Sequence, residues 1–164
     1  MGVSGSGKSS VGVALAQREG AVYIDGDTLH PPANLKKMSA GIPLADDDRH
    51  PWLVKVAETL READGPTLIG CSALKRRYRD LIRKVAGETL FFIHLTGPRE
   101  VVAGYMAARK GHFMPPSLLD SQYAALEPLE PDELGFAVDV AQPLGAVVAE
   151  AQRKLDQSGW KSAR

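Results

Sequence analysis

The 164-residue sequence predicts an α/β domain in which a parallel sheet lies between two layers of helices. Short apolar segments alternate with helical patterns along the whole chain, as in sheets whose strands are joined by crossover helices. The apolar segments are continuous rather than alternating, which is typical of strands buried on both faces. Strands are expected over 21–25, 67–71, 90–95 and 136–140, and helices over 8–18, 34–39, 51–63, 75–85, 100–109, 117–126 and 143–156.

The first helix and strand follow from apolar spacing and one glycine. Val11, Ala14 and Leu15 share one face of a helix, and Gly20 ends it. The segment that follows, Ala-Val-Tyr-Ile-Asp at 21–25, has the composition of a short buried strand that ends in a carboxylate.

Prolines and turn residues place the later elements. Pro51 and the acidic residues before it favour a helix that starts near this point. The Asp-Gly-Pro turn at 64–66 leads into the strand at 67–71. Pro143 is expected in the first turn of the last helix.

Residues 2–9 carry the most specific motif. They read Gly-Val-Ser-Gly-Ser-Gly-Lys-Ser and match the phosphate-binding pattern G-x-x-x-x-G-K-[ST]. Lys8 is expected to reach the β- and γ-phosphates of ATP, and the Ser9 hydroxyl to bind Mg²⁺. A flexible Gly- and Ser-rich tail is the alternative, whereas a dinucleotide-binding loop fails because Ser10 stands where a third glycine is needed. The expected ATP-binding residues of this loop are Gly2, Val3, Ser4, Gly5, Ser6, Gly7, Lys8, Ser9 and Ser10.

Two carboxylates stand at the end of the strand at 21–25. In parallel sheets, ligands bind at the carboxyl ends of strands. Asp25 is expected to hold Mg²⁺, directly or through water, and Asp27 to accept the proton of an attacking hydroxyl. The alternative is an ordinary Asx turn.

Basic residues cluster in the segments around this acidic loop. They indicate an anionic acceptor whose carboxylate is held by an arginine, with Arg49 as the favoured residue. Arg76 and Arg77 are interpreted as a solvated helix face. The segment 110–116 has the glycine, the prolines and the preceding basic residues of a lid, although a basic helix end would have the same composition.

Composition limits the possible partners and the location. Twenty basic and twenty acidic residues balance, so charge does not indicate nucleic acid, and no apolar run approaches the length of a membrane span. No signal peptide is visible, and the single Cys71 fits a reducing environment. A cytoplasmic protein that binds neither nucleic acid nor membrane is therefore expected.

The chain resembles the small P-loop gluconokinases, which are relatives of shikimate kinase and the nucleoside monophosphate kinases. The resemblance implies one P-loop kinase domain over 1–164, with ATP, Mg²⁺ and gluconate as ligands and γ-phosphate transfer to the 6-hydroxyl of D-gluconate as the reaction. The segments that carry it are Met1–Ser9, Asp25-Gly26-Asp27 with His30-Pro31, Gly41-Ile42-Pro43-Leu44 with Asp46-Asp47-Asp48-Arg49 and Pro51-Trp52, Cys71-Ser72-Ala73-Leu74-Lys75 with Tyr78-Arg79-Asp80, and Lys110-Gly111-His112-Phe113-Met114.

The same resemblance implies roles for individual residues. Lys8, Asp27 and Arg109 would be catalytic, Arg109 or Lys110 would be the lid cation, and Arg109 would also contact ATP. Gln142 and Pro143 would form the adenine side. The implied substrate-binding residues are Asp27, His30, Arg49, Lys75, Tyr78, Arg79 and His112. Relatives of this type are often dimers, so a homodimer is expected.

One feature of the opening conflicts with the motif. A phosphate-binding loop of this kind follows a strand, yet only Met1 precedes it. We expect the first strand of the fold to be missing and Met1 to be an internal methionine; in the family order 2-3-1-4-5 that strand lies between 67–71 and 90–95. A non-catalytic or impaired nucleotide-binding module, or a kinase of another small hydroxy acid, is the alternative function.

Overall fold

A computed structural model describes residues 1–87, 89–108 and 116–160. All the strands and helices expected from the sequence are present, with shifted ends. The strands are β1 (Val22–Asp25), β2 (Thr67–Gly70), β3 (Phe92–Thr96) and β4 (Gly135–Asp139), and a 3₁₀ turn covers Gly26–Leu29. The helices are α1 (Lys8–Glu19), α2 (Pro32–Ser39), α3 (Asp46–Arg61), α4 (Arg76–Ala86), α5 (Arg99–Ala108), α6 (Pro116–Ala125) and α7 (Leu144–Gln157).

The largest shift is at the start of α3, which begins at Asp46 rather than at Pro51. The side chain of Asp48 accepts a hydrogen bond of 2.9 Å from the backbone N–H of Ala45, the residue before the helix. Three acidic residues in the first turn also suit the positive end of the helix dipole. Pro51 therefore lies inside the helix, where it removes one helical N–H, so its expected place at the helix start was wrong.

The strands form two parallel pairs on either side of Met1. β1 pairs with β2, with Val22 opposite Thr67, and β3 pairs with β4, with Phe92 opposite Gly135. The N–H of Gly2 donates to the carbonyl of Ser72, at 3.1 Å, and the N–H of Leu95 donates to the carbonyl of Met1, at 2.9 Å.

The backbone of Met1 and Gly2 thus bridges the two pairs, and the spatial order agrees with the order expected from the family resemblance. A cavity of about 110 Å³ lies in the same gap, lined largely by apolar side chains of β2, β3 and the helices that cover them.

Helices cover both faces of this sheet. On one face, Val11 and Leu15 of α1 pack in a buried cluster with Val147 and Val148 of α7. On the other face, residues of α3 and α4, among them Trp52, form a second buried cluster. The three-layer α/β/α architecture predicted from the sequence is confirmed. Across the part of the chain that the structure describes, no helix combines the length and apolarity that a membrane crossing needs.

Candidate active site

The loop between Met1 and α1 has the backbone conformation that phosphate binding requires. Gly2 has φ of +141°, and a Cβ at this position would lie 2.5 Å from the carbonyl oxygen of Leu95. Gly7, with φ of +90°, caps the start of α1. Lys8 lies across the loop, because its Nζ donates to the carbonyls of Gly2 at 3.1 Å and of Val3 at 2.9 Å. The loop is therefore preformed beside the positive end of α1.

Asp25 and Asp27 are held at the carboxyl end of β1 by a turn that needs glycine between them. A Cβ on Gly26 would lie 2.5 Å from the carbonyl oxygen of Gly70 on the neighbouring strand. Asp25 Oδ1 accepts a hydrogen bond of 3.0 Å from the N–H of Asp27, and the indole N–H of Trp52 donates to the carbonyl of Gly26 at 2.8 Å. These two hydrogen bonds fix the turn, and the turn sets the positions of the two carboxylates. The Asx turn considered from the sequence is present, and it forms part of the site.

The oxygens of Ser9 and Asp25 suit a magnesium ion. Ser9 Oγ lies 3.4 Å from Asp25 Oδ2. Mg²⁺ prefers oxygen ligands and is commonly held by one or two protein oxygens together with water and substrate phosphates. Among the described residues no group of three or more His, Cys, Asp or Glu side chains could hold a metal ion. The site fits an ion that the phosphates of a substrate help to bind.

A cleft of about 560 Å³ joins the phosphate-binding loop to the candidate base. Its lining includes Lys8 of the phosphate-binding loop, Asp27 of the turn after β1 and Arg49 of α3. Arg49 Nε donates to the carbonyl of Leu44 at 3.3 Å, which places the guanidinium at the start of α3. His30 also lines this cleft. With Ser4, which also lines the cleft, five of the site residues predicted from the sequence are brought together around one space.

Lys75 and Tyr78 are arranged differently from the expectation. Lys75 Nζ lies 3.2 Å from the carboxylate of Asp46, and the Tyr78 hydroxyl donates to that same carboxylate. The hydrogen bond from Tyr78 is the main cause that lowers the pKa of Asp46, with Lys75 and Arg77 adding to it. Within the described part of the chain, the cleft lining includes neither Lys75 nor Tyr78. Their contact with substrate stays a prediction.

The structure corrects the expectation for Arg79. The side chain is 0% exposed and makes a bidentate ion pair with Glu133, with both distances 2.7 Å. Its remaining N–H groups donate to backbone carbonyls, including those of Glu127 and Pro128 at 3.0 Å each. Although burial raises the pKa of Glu133, the hydrogen bonds from Arg79 and from a backbone N–H lower it to about 2. Arg79 joins α4 to the segment after α6 and has no N–H left for a substrate.

Of the other predicted residues, some lie within the described part of the chain and some outside it. Gln142 follows β4, and its amide donates to the carbonyl of Asp139 at 2.8 Å and to Glu150 at 2.7 Å. Pro143 directly precedes α7. Arg109, His112 and the lid segment up to residue 115 lie outside the described residues, and Pro116 begins α6.

Two polar residues of the site were missed by the sequence analysis. Asn34 of α2 is buried and bonds to His30, as described below. Gln122 of α6 accepts a hydrogen bond of 2.6 Å from the N–H of Ser4 in the phosphate-binding loop, and it lines the cleft. A signal for Gln122 was available, because it stands three residues after the buried Leu119 and so shares the apolar face of its helix.

The fold and the site together define a P-loop kinase of the α/β/α type. Shikimate kinase from Aquifex aeolicus superposes with a TM-score of 0.59 at 16% identity, covering 96% of this chain and 94% of that one, which shows the shared fold alone. No protein-family model matches the chain.

Closer relatives define the family. The thermoresistant gluconokinase of Escherichia coli is 45% identical over 153 residues, which cover 91% of this chain and 87% of that protein. The crystal structure of a gluconokinase from Sinorhizobium meliloti 1021 superposes with a TM-score of 0.90 at 52% identity, covering 96% of this chain and 89% of that one. The chain belongs to the gluconokinase family.

Proposed function

We propose that this protein transfers the γ-phosphoryl group of ATP to the 6-hydroxyl of D-gluconate, giving 6-phosphogluconate and ADP. The observation that carries the proposal is the cleft in which Lys8, Asp27 and Arg49 converge. A cation beside a phosphate-binding loop, a carboxylate base and a second cation are the groups that a phosphorylated donor and an acidic sugar require. Membership of the gluconokinase family supports gluconate as the acceptor.

The residues of the cleft divide the work of the reaction. The N–H groups of the phosphate-binding loop and Lys8 hold the phosphates, and Arg49 holds the carboxylate of the sugar acid. Asp27 takes the proton of the acceptor hydroxyl while the oxygen of that hydroxyl forms a bond to the γ-phosphorus. At the same time, the bond between the γ-phosphorus and the oxygen that leaves with ADP breaks. Alignment of the two substrates in one cleft is the main contribution of the chain.

Ser9 and Asp25 would hold Mg²⁺, directly or through water. When bound, the ion supplies positive charge to the β- and γ-phosphates. The hydrogen bond that Asp25 accepts from the Asp27 N–H couples the two carboxylates through the backbone, so the expected ion site and the expected base share one turn.

A coupled assay of ADP release tests the proposal. With Mg²⁺ and ATP present, gluconate is expected to give turnover, while shikimate, glycerate and nucleoside monophosphates give the rate of the blank. A gluconate rate equal to that of the blank would refute the assigned acceptor.

Asp27→Asn tests the assigned base. The turnover should fall by a factor on the order of 10²–10⁴, the usual contribution of a general base, while calorimetry shows ATP affinity largely kept. Asp64→Asn is the matched control, because Asp64 is exposed and precedes β2 at the opposite end of the sheet from the cleft. Near-normal turnover by Asp27→Asn would remove Asp27 from this role. A cytoplasmic location, a homodimer and a closing lid stay predictions.

A further inference from the structure

His30 is held tightly beside the candidate base. Its ring stacks on Trp52 with the centroids 4.1 Å apart and the planes 16° from parallel. Only 8% of the residue is exposed, and its Nε2 lies 4.0 Å from Asp27 Oδ1. The imidazole is therefore fixed in position, and one ring nitrogen is directed at the carboxylate that is expected to take the proton.

The buried side chain of Asn34 determines which ring nitrogen carries the hydrogen. Asn34 Nδ2 lies 2.7 Å from the backbone carbonyl oxygen of Asp48. Because a carbonyl oxygen only accepts, this atom of Asn34 has to be the amide nitrogen and not the amide oxygen. The same nitrogen lies 3.2 Å from His30 Nδ1, so its second hydrogen is donated to that ring atom. His30 Nδ1 is then the acceptor, and the hydrogen of the neutral ring is on Nε2.

The surrounding charges agree with a neutral ring. Burial lowers the pKa of His30, Asp27 acts in the opposite direction, and Arg49 lowers the pKa further. A protonated imidazole would also place an N–H of His30 against the N–H of Asn34, which costs the buried amide one of its partners.

We propose that Asn34 is a positioning residue, which fixes the tautomer of His30 so that an N–H, and not a lone pair, faces Asp27. This inference rests on the proposed role of Asp27. The N–H of Nε2 orients Oδ1 of Asp27 and leaves Oδ2 for the hydroxyl of the acceptor. The distance of 4.0 Å exceeds that of a hydrogen bond, and such contacts in ligand-free sites commonly shorten when substrate binds.

Nitrogen NMR tests the tautomer in the wild-type protein itself, and a variant is needed only to assign the signals. With ¹⁵N-labelled histidine near neutral pH, the signals of His30, assigned by their loss in His30→Gln, should show a protonated Nε2 and an unprotonated Nδ1. A protonated Nδ1 would overturn the inference, because Asn34 could not then donate to it.

A pair of substitutions at His30 tests the function of the N–H. A glutamine side chain can place an N–H near the position of Nε2, whereas an asparagine reaches only the position of Nδ1. His30→Gln should therefore keep more of the kcat than His30→Asn, although both lose the ring that stacks on Trp52. Equal kcat values for the two variants would contradict the assigned role.

Asn34→Leu completes the test. Partners that orient an active-site group contribute factors of roughly 10–100, so a loss of kcat in this range is expected, with the KM for ATP unchanged and a folded protein by circular dichroism. A wild-type kcat in folded Asn34→Leu would refute the inference. If the wild-type protein does not phosphorylate gluconate, the proposed function fails instead, and the NMR measurement still decides the tautomer.

Discussion

Replacement of Arg79 by methionine separates a structural role from a role in substrate binding. Methionine keeps much of the apolar volume of the side chain but removes its charge and all its N–H donors. The carboxylate of Glu133 would then stay buried with only Arg83, at 3.2 Å, and the N–H of Glu130, at 3.0 Å. Removal of one partner from a buried ion pair costs about 3–5 kcal/mol, and the total stability of a domain is typically about 5–15 kcal/mol. The urea midpoint of unfolding should therefore fall strongly.

Two further variants make this result specific. Arg76 lies on the same helix and pairs with Asp132 and Asp80, each at 2.9 Å, but its side chain is 36% exposed. Arg76→Met should therefore leave the midpoint almost unchanged, because water screens exposed pairs. Adding Glu133→Leu to Arg79→Met should recover stability, since the buried charge is then removed as well.

Enzyme assays on the same proteins complete the comparison. At a temperature where Arg79→Met is folded, its KM for gluconate should equal that of the wild type, since the N–H groups of Arg79 are all donated to Glu133 and to backbone carbonyls. A wild-type unfolding midpoint together with a raised KM for gluconate would refute the structural role and restore the role expected from the sequence.

His94 and Gln122 give two further predictions. Burial is the main cause that lowers the pKa of His94 from 6.5 to about 4. Since the unfolded chain then binds the proton more readily, stability should fall by about 2–3 kcal/mol as the pH drops from 7 to 4.5. Urea unfolding at both values should show a clearly larger loss in the wild type than in His94→Leu, in which the contribution of the buried His30 remains; equal losses would refute it. Gln122→Met should lower kcat/KM for ATP by roughly tenfold, because the Ser4 N–H loses its acceptor. Gln152→Met is the control, because Gln152 joins α7 to Glu19 of α1, and its kcat/KM for ATP should equal that of the wild type. Equal kcat/KM values for the two variants would contradict the prediction.

The sequence was sufficient for the fold and for several residues that line the candidate cleft, because both depend on local patterns. Continuous apolar segments and their spacing located every strand, and the glycines of residues 2–7 required a loop of one conformation. Asp27 could be placed because it follows a strand, and strand ends converge in a parallel sheet. Asn34 could not be placed in this way. The role proposed for it depends on its contacts with His30 and with the carbonyl of Asp48, which lie 4 and 14 positions away in the sequence and meet only in the folded chain.

Arg49 and Arg79 show the limit of reasoning from charge alone. Both were expected to bind the substrate, yet Arg49 lines the cleft and Arg79 is fully buried. Helical spacing alone does not separate the two cases, because Arg79 stands three residues before the buried Ile82 and Arg49 stands three residues before the buried Trp52. The difference lies in the partner: a fully buried arginine needs a buried acid, and Glu133 is that acid for Arg79. A basic residue in a gluconokinase sequence should therefore be assigned to substrate only after its partner in the fold has been determined.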